Sequence, residues 1–305
     1  MATTIAKELG LDLQCVSEST PGKNHALNKG LSHVQTDLVI TLDADTLLHS
    51  SAIRHLVNRY ESSPASVGAV AGTVLVRNSR HNLLTRMQEW DYFLGITSTK
   101  RLQGMYQSTL VAQGAFSLYQ TKIVREIGGW PDAIGEDIVL TWRLFKQGWN
   151  VYFEPLAVSF TDAPAEFMHF FRQRSRWARG MLEGIRDVKP WKQPDLFSKF
   201  LTGLDLLIPY TDFCYTAFWL PGLVLALFGY FWIVGPLTFL VLPLTLLSNY
   251  LMYRYQKRVF RTLGLRVRRN RFGFVAYVLL YQMVMSPISI LGYIQETMRL
   301  RRVWR

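Results

Sequence analysis

Hydrophobic positions along the chain follow two regimes that change over near residue 190. In the first, short apolar runs rich in β-branched residues alternate with longer stretches of helical period. Strands are expected at Asp12–Glu18, Asp37–Asp43, Val67–Arg77, Leu110–Tyr119 and Asn150–Phe160. Helices are expected between and after them, at Ser50–Ser63, Asn82–Leu102, Ile138–Gly148 and Ala165–Val188. Such alternation predicts an α/β domain built on a largely parallel sheet, and such sheets bind ligands beyond the carboxyl ends of their strands.

In the second regime the apolar runs are far longer. Phe213 to Tyr253 contains no Asp, Glu, Lys or Arg, about twice the roughly 20 residues a helix needs to cross a bilayer. A turn at Val234–Pro236 divides it into two antiparallel spans, with Pro221 and Pro243 inside them, which a membrane helix tolerates better than a soluble one. The alternative is a buried helical hairpin of a soluble protein. A third run, Phe272–Ile294, has basic residues on both sides. It either spans the membrane or dips in and returns at Ser286–Pro287. Before these segments, Trp191–Pro194 breaks the last helix of the first regime and Asp195–Tyr210 reads as amphipathic. The expected organisation is a partial cytoplasmic domain at 1–190, an interfacial helix at 191–212 and two membrane helices at 213–253. A basic linker at 254–271 and a third membrane segment with a basic end at 272–305 complete it.

Charge sharpens this picture. Hydrophobic residues make up 49% of the 305 residues while the formal net charge is +12, a pairing that points to nucleic acid or to a membrane surface. Arg254–Arg271 is densely basic with no acid, next to apolar segments, so it is expected on the cytoplasmic side of a plasma (inner) membrane, in a multi-pass arrangement. That reading favours the membrane and leaves no nucleic-acid partner. Cys15 and Cys214, one in each regime, form no CxxC, and the six histidines show no ligand spacing.

Three groups of residues carry candidate chemistry. The strand at Asp37–Asp43 ends in Asp43 and Asp45, one residue apart. Asp45 can hold a hard divalent cation while Asp43 contacts a sugar or ribose, or the two can share the ion; alternatively the turn only caps the following helix through Asp45 or Thr46. Glu136 and Asp137 stand where a helix begins, a position that favours acids by itself, but a carboxylate there can also take a proton from a hydroxyl. Gln173, Arg176 and Trp177 share one helical face. A guanidinium there can grip a diphosphate and an indole can stack on a sugar ring. On the plain structural alternative this is a basic helix beside the membrane, with Arg172, Arg174 and Arg179 on lipid headgroups.

Taken in order, Gly22–Leu31 (GKNHALNKGL), the DxD at Asp43–Asp45, the GED at Gly135–Asp137 and the QxxRW at Gln173–Trp177, followed by apolar helices, resemble the membrane-embedded processive β-glycosyltransferases of family two. These are the cellulose, chitin, hyaluronan and poly-N-acetylglucosamine synthases. The loop AQGAFSLYQ (Ala112–Gln120) and the few apolar segments after the domain look most like the bacterial poly-β-1,6-N-acetylglucosamine synthases. The resemblance implies a GT-A-like (Rossmann-like) nucleotide-sugar domain followed by transmembrane helices. It also implies a UDP-sugar donor, with N-acetylglucosamine as the expected sugar, a growing β-linked polysaccharide as acceptor, and Mg²⁺ or Mn²⁺ as cofactor. Residue by residue, it puts Lys23 beside the nucleotide and Asp43 and Asp45 on the UDP-sugar, with Asp45 on the metal. Asp137 becomes the general base with Glu136 beside it, Gly114 borders the acceptor, and Gln173, Arg176 and Trp177 hold the diphosphate and the acceptor end.

The resemblance departs in two places. The family usually has TED where Gly135 begins GED, and its domain normally opens with strands ending in P-x-x-N-E and DDGS motifs that are missing here. The chain is therefore expected to be an N-terminally truncated domain, or one completed by a partner chain. The alternative function is a noncatalytic or degenerate membrane subunit of a polysaccharide synthase.

Overall fold

The computed structural model describes residues 2–105 and 108–300. Its elements run α1 (Ala2–Glu8), α2 (Lys23–His33), β1 (Leu38–Leu42), β2 (Leu47–Leu48), α3 (Ala52–Glu61), β3 (Val67–Val76), α4 (Leu83–Trp90), a π-helical turn (Asp91–Ile96) and α5 (Thr97–Met105). Then come β4 (Phe116–Gln120), α6 (Thr121–Glu126), α7 (Glu136–Lys146), β5 (Asn150–Thr161), α8 (Phe167–Asp187) and α9 (Leu196–Leu204). Sheet order is β1-β4-β3-β5-β2. Only β3 and β5 pair in parallel; β1 with β4, β4 with β3, and β5 with β2 are antiparallel. The sheet is thus mixed, not largely parallel. The excursion through α4 and α5 returns β4 between β1 and β3 against the direction of both, and hydrophobic pattern carries a strand's existence without its direction.

β3 shows why the core sits where it does. All ten of its residues are buried, because helices cover both faces of a central strand and remove any need for polar alternation. Ala69 and Ala71 face a cluster with Leu140 and Leu144 of α7, while Val70 and Val74 face one with Leu56 of α3. β5 is a single long strand whose register against β3 breaks between Ala71 and Thr73, opposite the Glu154–Ala157 stretch. Pro155 lies in that irregularity, where a missing N–H does least harm. Asp12–Glu18 forms no strand, and Leu110–Ala115 is irregular, so only the second half of that expected strand is β4.

Beyond α9 the chain is helical. A continuous helix is built from α10 (Leu207–Cys214), a π turn (Tyr215–Trp219) and α11 (Leu220–Leu227), with Pro221 directly after the widened turn, which absorbs the clash a proline causes. α12 (Thr238–Thr262) follows, and its last turns include Arg254, Lys257, Arg258 and Arg261. Much of the expected basic linker is therefore helix, and 263–270 makes the connection. Large apolar side chains such as Phe213, Leu227, Leu240, Leu244 and Leu251 stand exposed.

The last helix joins α13 (Arg271–Ala276), a π turn (Tyr277–Tyr281) and α14 (Gln282–Thr297). It runs through Pro287 without reversing, so the chain does not turn back at Ser286–Pro287. Among the described residues, Arg271–Thr297 is the one helix long and apolar enough to cross a membrane by length and composition. One face of it docks on α8. Gly292 packs against the Ser175 carbonyl and Ala178, where a Cβ would lie 2.5 Å from the Ser175 oxygen, and Glu296 pairs with Arg179 at 3.3 Å and Arg186 at 2.8 Å.

Candidate active site

Strand pairing assembles the first half of the site. β1 and β4 place Leu42 opposite Phe116, so the residue after β1 meets those before β4, and the Asp43 N–H donates to the Ala115 carbonyl at 3.2 Å. Lys23 opens α2 and reaches into this junction, its Nζ 2.7 Å from Asp43 Oδ1 and 3.5 Å from Glu136 Oε1. Gly114 donates its N–H to Asp137 Oδ2 at 3.1 Å. A larger residue at Gly114 would push Lys23 aside, since a Cβ there would lie 2.8 Å from Lys23 Nζ and 3.3 Å from Glu136 Oε1. Lys23, Asp43, Gly114, Glu136 and Asp137, drawn from four separate stretches of sequence, therefore form one cluster.

The neighbouring acids differ in electrostatics. Glu136 is buried, and burial, with the adjacent Asp137 charge adding to it, raises its carboxyl to about 7, Lys23 opposing. Burial alone would depress Lys23, but the carboxylates of Glu136, Asp43 and Asp137 outweigh it and hold the ammonium above its ordinary value. Asp137 is half-buried at the start of α7, and the loop before β4 is latched to the same turn: Ala112 N–H donates to the Thr141 hydroxyl at 2.9 Å, which in turn donates to the Asp137 carbonyl at 2.7 Å. Lys100, missed at the level of sequence, braces this loop by donating to the Val111 carbonyl at 2.8 Å. Burial pulls its amine down to about 7 against the pull of Asp137.

Asp45 stands exposed on the other side of the turn, accepting from the hydroxyls of Thr46 at 3.3 Å and Thr161 at 3.2 Å. Among the described residues no group of three or more His, Cys, Asp or Glu forms a cage for a metal. Two carboxylates on an open turn still suit Mg²⁺ or Mn²⁺, because such ions are held by one or two carboxylates plus substrate phosphates.

α8 carries the second half. Gln173 is half-buried with its side-chain oxygen unpartnered among the described residues, Arg176 is exposed, and the Trp177 ring lies 6.1 Å from that of Tyr92. Tyr92 links the halves, its phenol raised to about 12, chiefly by burial, with Asp91, Asp45 and Asp43 adding to the shift against Arg174. The alternative placing Arg174 and Arg179 on lipid headgroups does not hold, because both are buried. Arg174 pairs with Asp91 at 2.9 Å and lies 4.2 Å from the centre of the Trp177 ring, and Tyr281 donates to the same Asp91 at 2.7 Å. Breaking such a buried pair costs about 3–5 kcal/mol. Partners 83 residues apart in the chain leave no local signal.

The profile of the family described as "Glycosyl transferase family group 2" matches residues 38–289. The chain belongs to that family. Its relatives include the poly-beta-1,6-N-acetyl-D-glucosamine synthase of Staphylococcus aureus (strain COL), 33% identical over 160 residues, which cover 52% of this chain and 38% of that protein. The synthase of the same name from Staphylococcus epidermidis (strain ATCC 35984) is 28% identical over 207 residues, 66% of this chain and 50% of that protein. The chain thus spans half or less of the length of these curated relatives. Among solved structures, the mannosyltransferase PcManGT from Pyrobaculum calidifontis, in complex with GDP-Man and Mn²⁺, superimposes with a TM-score of 0.58 at 17% identity, over 98% of this chain and 74% of that one. That likeness supports the GT-A-like fold of this family-two chain.

Proposed function

We propose that this family-two chain is the catalytic part of an inverting glycosyltransferase that moves a sugar from a UDP donor to a growing β-linked polysaccharide at a membrane. The carrying observation is the convergence of Lys23, Asp43, Gly114, Glu136 and Asp137 at one edge of the sheet. N-acetylglucosamine is the sugar proposed, from the likeness to the staphylococcal synthases. The multi-pass arrangement rests on the exposed apolar surface of the three long helices and on the basic residues beside them.

In this mechanism Asp137 takes the proton of an acceptor hydroxyl, whose oxygen attacks the anomeric carbon as the bond to the diphosphate breaks, the electron pair leaving with UDP. Displacement from the opposite face turns an α-linked donor into a β-linked product. The N–H groups of Gly114 and Ile138 hold Asp137 Oδ2 and Oδ1 at 3.1 and 2.9 Å and so fix the carboxylate's orientation, each oxygen keeping a further lone pair for the proton. Arg176 binds the departing diphosphate, and Gln173 and Trp177 hold the acceptor end. Asp45, with Asp43, would hold the Mg²⁺ or Mn²⁺ ion, which when bound neutralises charge on the diphosphate.

Membranes containing the chain should incorporate labelled N-acetylglucosamine from its UDP donor when Mg²⁺ or Mn²⁺ is supplied, and Asp137→Asn should abolish this. Incorporation equal in wild type and variant would refute Asp137 as base. Absence of incorporation from wild type would favour a noncatalytic subunit or a chain dependent on a partner, which adding the N-terminal part of a relative distinguishes.

A further inference from the structure

α8 does more than present the QxxRW residues. One turn beyond them, its inner face meets the segment that enters α7. Gly135 and Gly180 touch backbone to backbone, so that a Cβ on either would lie 2.7 Å from the Cα of the other. Glu183, only 7% exposed, accepts from the N–H groups of Ile134 at 2.5 Å and Gly135 at 3.2 Å through a single oxygen, Oε2. Just past the acids, Gly184 lies against Ile138, where a Cβ would come within 2.9 Å of its Cγ2. Residues 134, 135 and 138 thus bracket Glu136 and Asp137, and α8 grips all three. The glycine of GED has a steric reason here, because a threonine side chain at 135 would run into Gly180.

We infer that Glu183 is the positioning residue that fixes the α7 entry turn and thereby aims Asp137. It touches neither substrate nor reacting atoms. A carboxylate accepting two N–H groups makes stronger hydrogen bonds than a neutral acceptor does, and its removal leaves two buried donors unsatisfied. On the adjoining face α8 is held by Gly292 and Glu296 of α14, so the apolar helix belongs to the same frame. The inference rests on the proposal that Asp137 is the base, but its structural half can be tested separately.

The experiment compares wild type, Glu183→Ala and Glu183→Gln of the full chain in membranes or detergent, by amide hydrogen exchange and by transfer kinetics with UDP-N-acetylglucosamine. Glu183→Ala should speed exchange across 131–138 while 67–76 in β3 stays protected. It should lower kcat on the order of tenfold to a hundredfold, as a misplaced catalytic group does, with donor KM changed less than about twofold because the donor contacts are untouched. Glu183→Gln, which keeps an acceptor oxygen, should restore most of both. Unchanged exchange at 131–138 in Glu183→Ala, or a kcat equal to wild type, overturns the inference, as does a Gln variant as impaired as Ala. If Glu183→Ala loses protection throughout, Glu183→Asp decides: its shorter reach should raise exchange at 131–138 alone, and wild-type protection there overturns the inference. A wild type that transfers no sugar defeats the functional proposal, and the exchange comparison still decides whether Glu183 holds the turn.

Discussion

The two halves of the site differ in how completely they are built. At the start of α7, Lys23, the Gly114 N–H and the Thr141 hydroxyl already hold Glu136 and Asp137 from several sides. On α8, Gln173 has no partner for its oxygen among the described residues and Arg176 projects outward. The chemical half is preorganised while the half proposed to hold diphosphate is left open for its ligand. An enzyme whose reaction requires a fixed base and a departing product has reason to be rigid at one and accessible at the other.

The sharpest way to break this comparison is at the base. Asp137→Asn removes proton acceptance with little change of shape, and transfer should fall by about 10²–10⁴-fold while UDP binding, followed by calorimetry, persists. Next comes the open half. Arg176→Ala should cost on the order of 10²–10³-fold in kcat, the scale of losing one donor to developing charge, and single-turnover assays would expose it; a wild-type rate would remove Arg176 from the diphosphate site. Gly114→Ala tests whether the rigid half tolerates crowding: its methyl would press on Lys23 Nζ from 2.8 Å, and kcat should drop on the order of tenfold, less than an ångström of displacement can cost.

The smallest effect concerns Glu136. Its carboxyl is raised from an ordinary 4.5 to about 7, mainly by burial, so the folded state keeps a proton that the unfolded chain releases earlier. The associated stability is fully present below pH 4.5 and is lost as pH rises through about 7. Thermal melts of wild type should therefore decline relative to Glu136→Gln over that window, by a few degrees. Parallel curves would show that burial does not control this group.

Much of this was legible in the sequence, and the gaps have physical causes. α3, α7 and α8 follow their hydrophobic periods closely, β3 follows its unbroken apolar run, and the motif residues Asp43 and Glu136 fall on the expected strand end and helix start. Strand direction was not legible, which is why β4 came out antiparallel to both neighbours. Asp12–Glu18 has strand-like composition but is mostly exposed and pairs with no strand among the described residues, and a strand without a neighbour has no hydrogen-bonding partner. At Leu110–Ala115 the backbone serves the α7 turn instead of a sheet. Arg174 and Arg179 resembled surface charges because their partners, Asp91 and Glu296, are distant in sequence and meet them only once the π turn after α4 and the last helix have packed on α8, and Glu183 went unnoticed because it meets the segment before α7 only in the folded chain.

The shared grip on Glu296 has a practical side. Arg179 also donates to the Leu300 carbonyl at 2.8 Å, and Arg186 to the Glu296 carbonyl at 3.1 Å, so the backbone just past α14 is itself part of the seat of α8. A purification tag or fluorescent fusion spliced in immediately after Thr297 would pry at that seat, whereas one joined ahead of α1, whose residues are mostly exposed, would leave it alone.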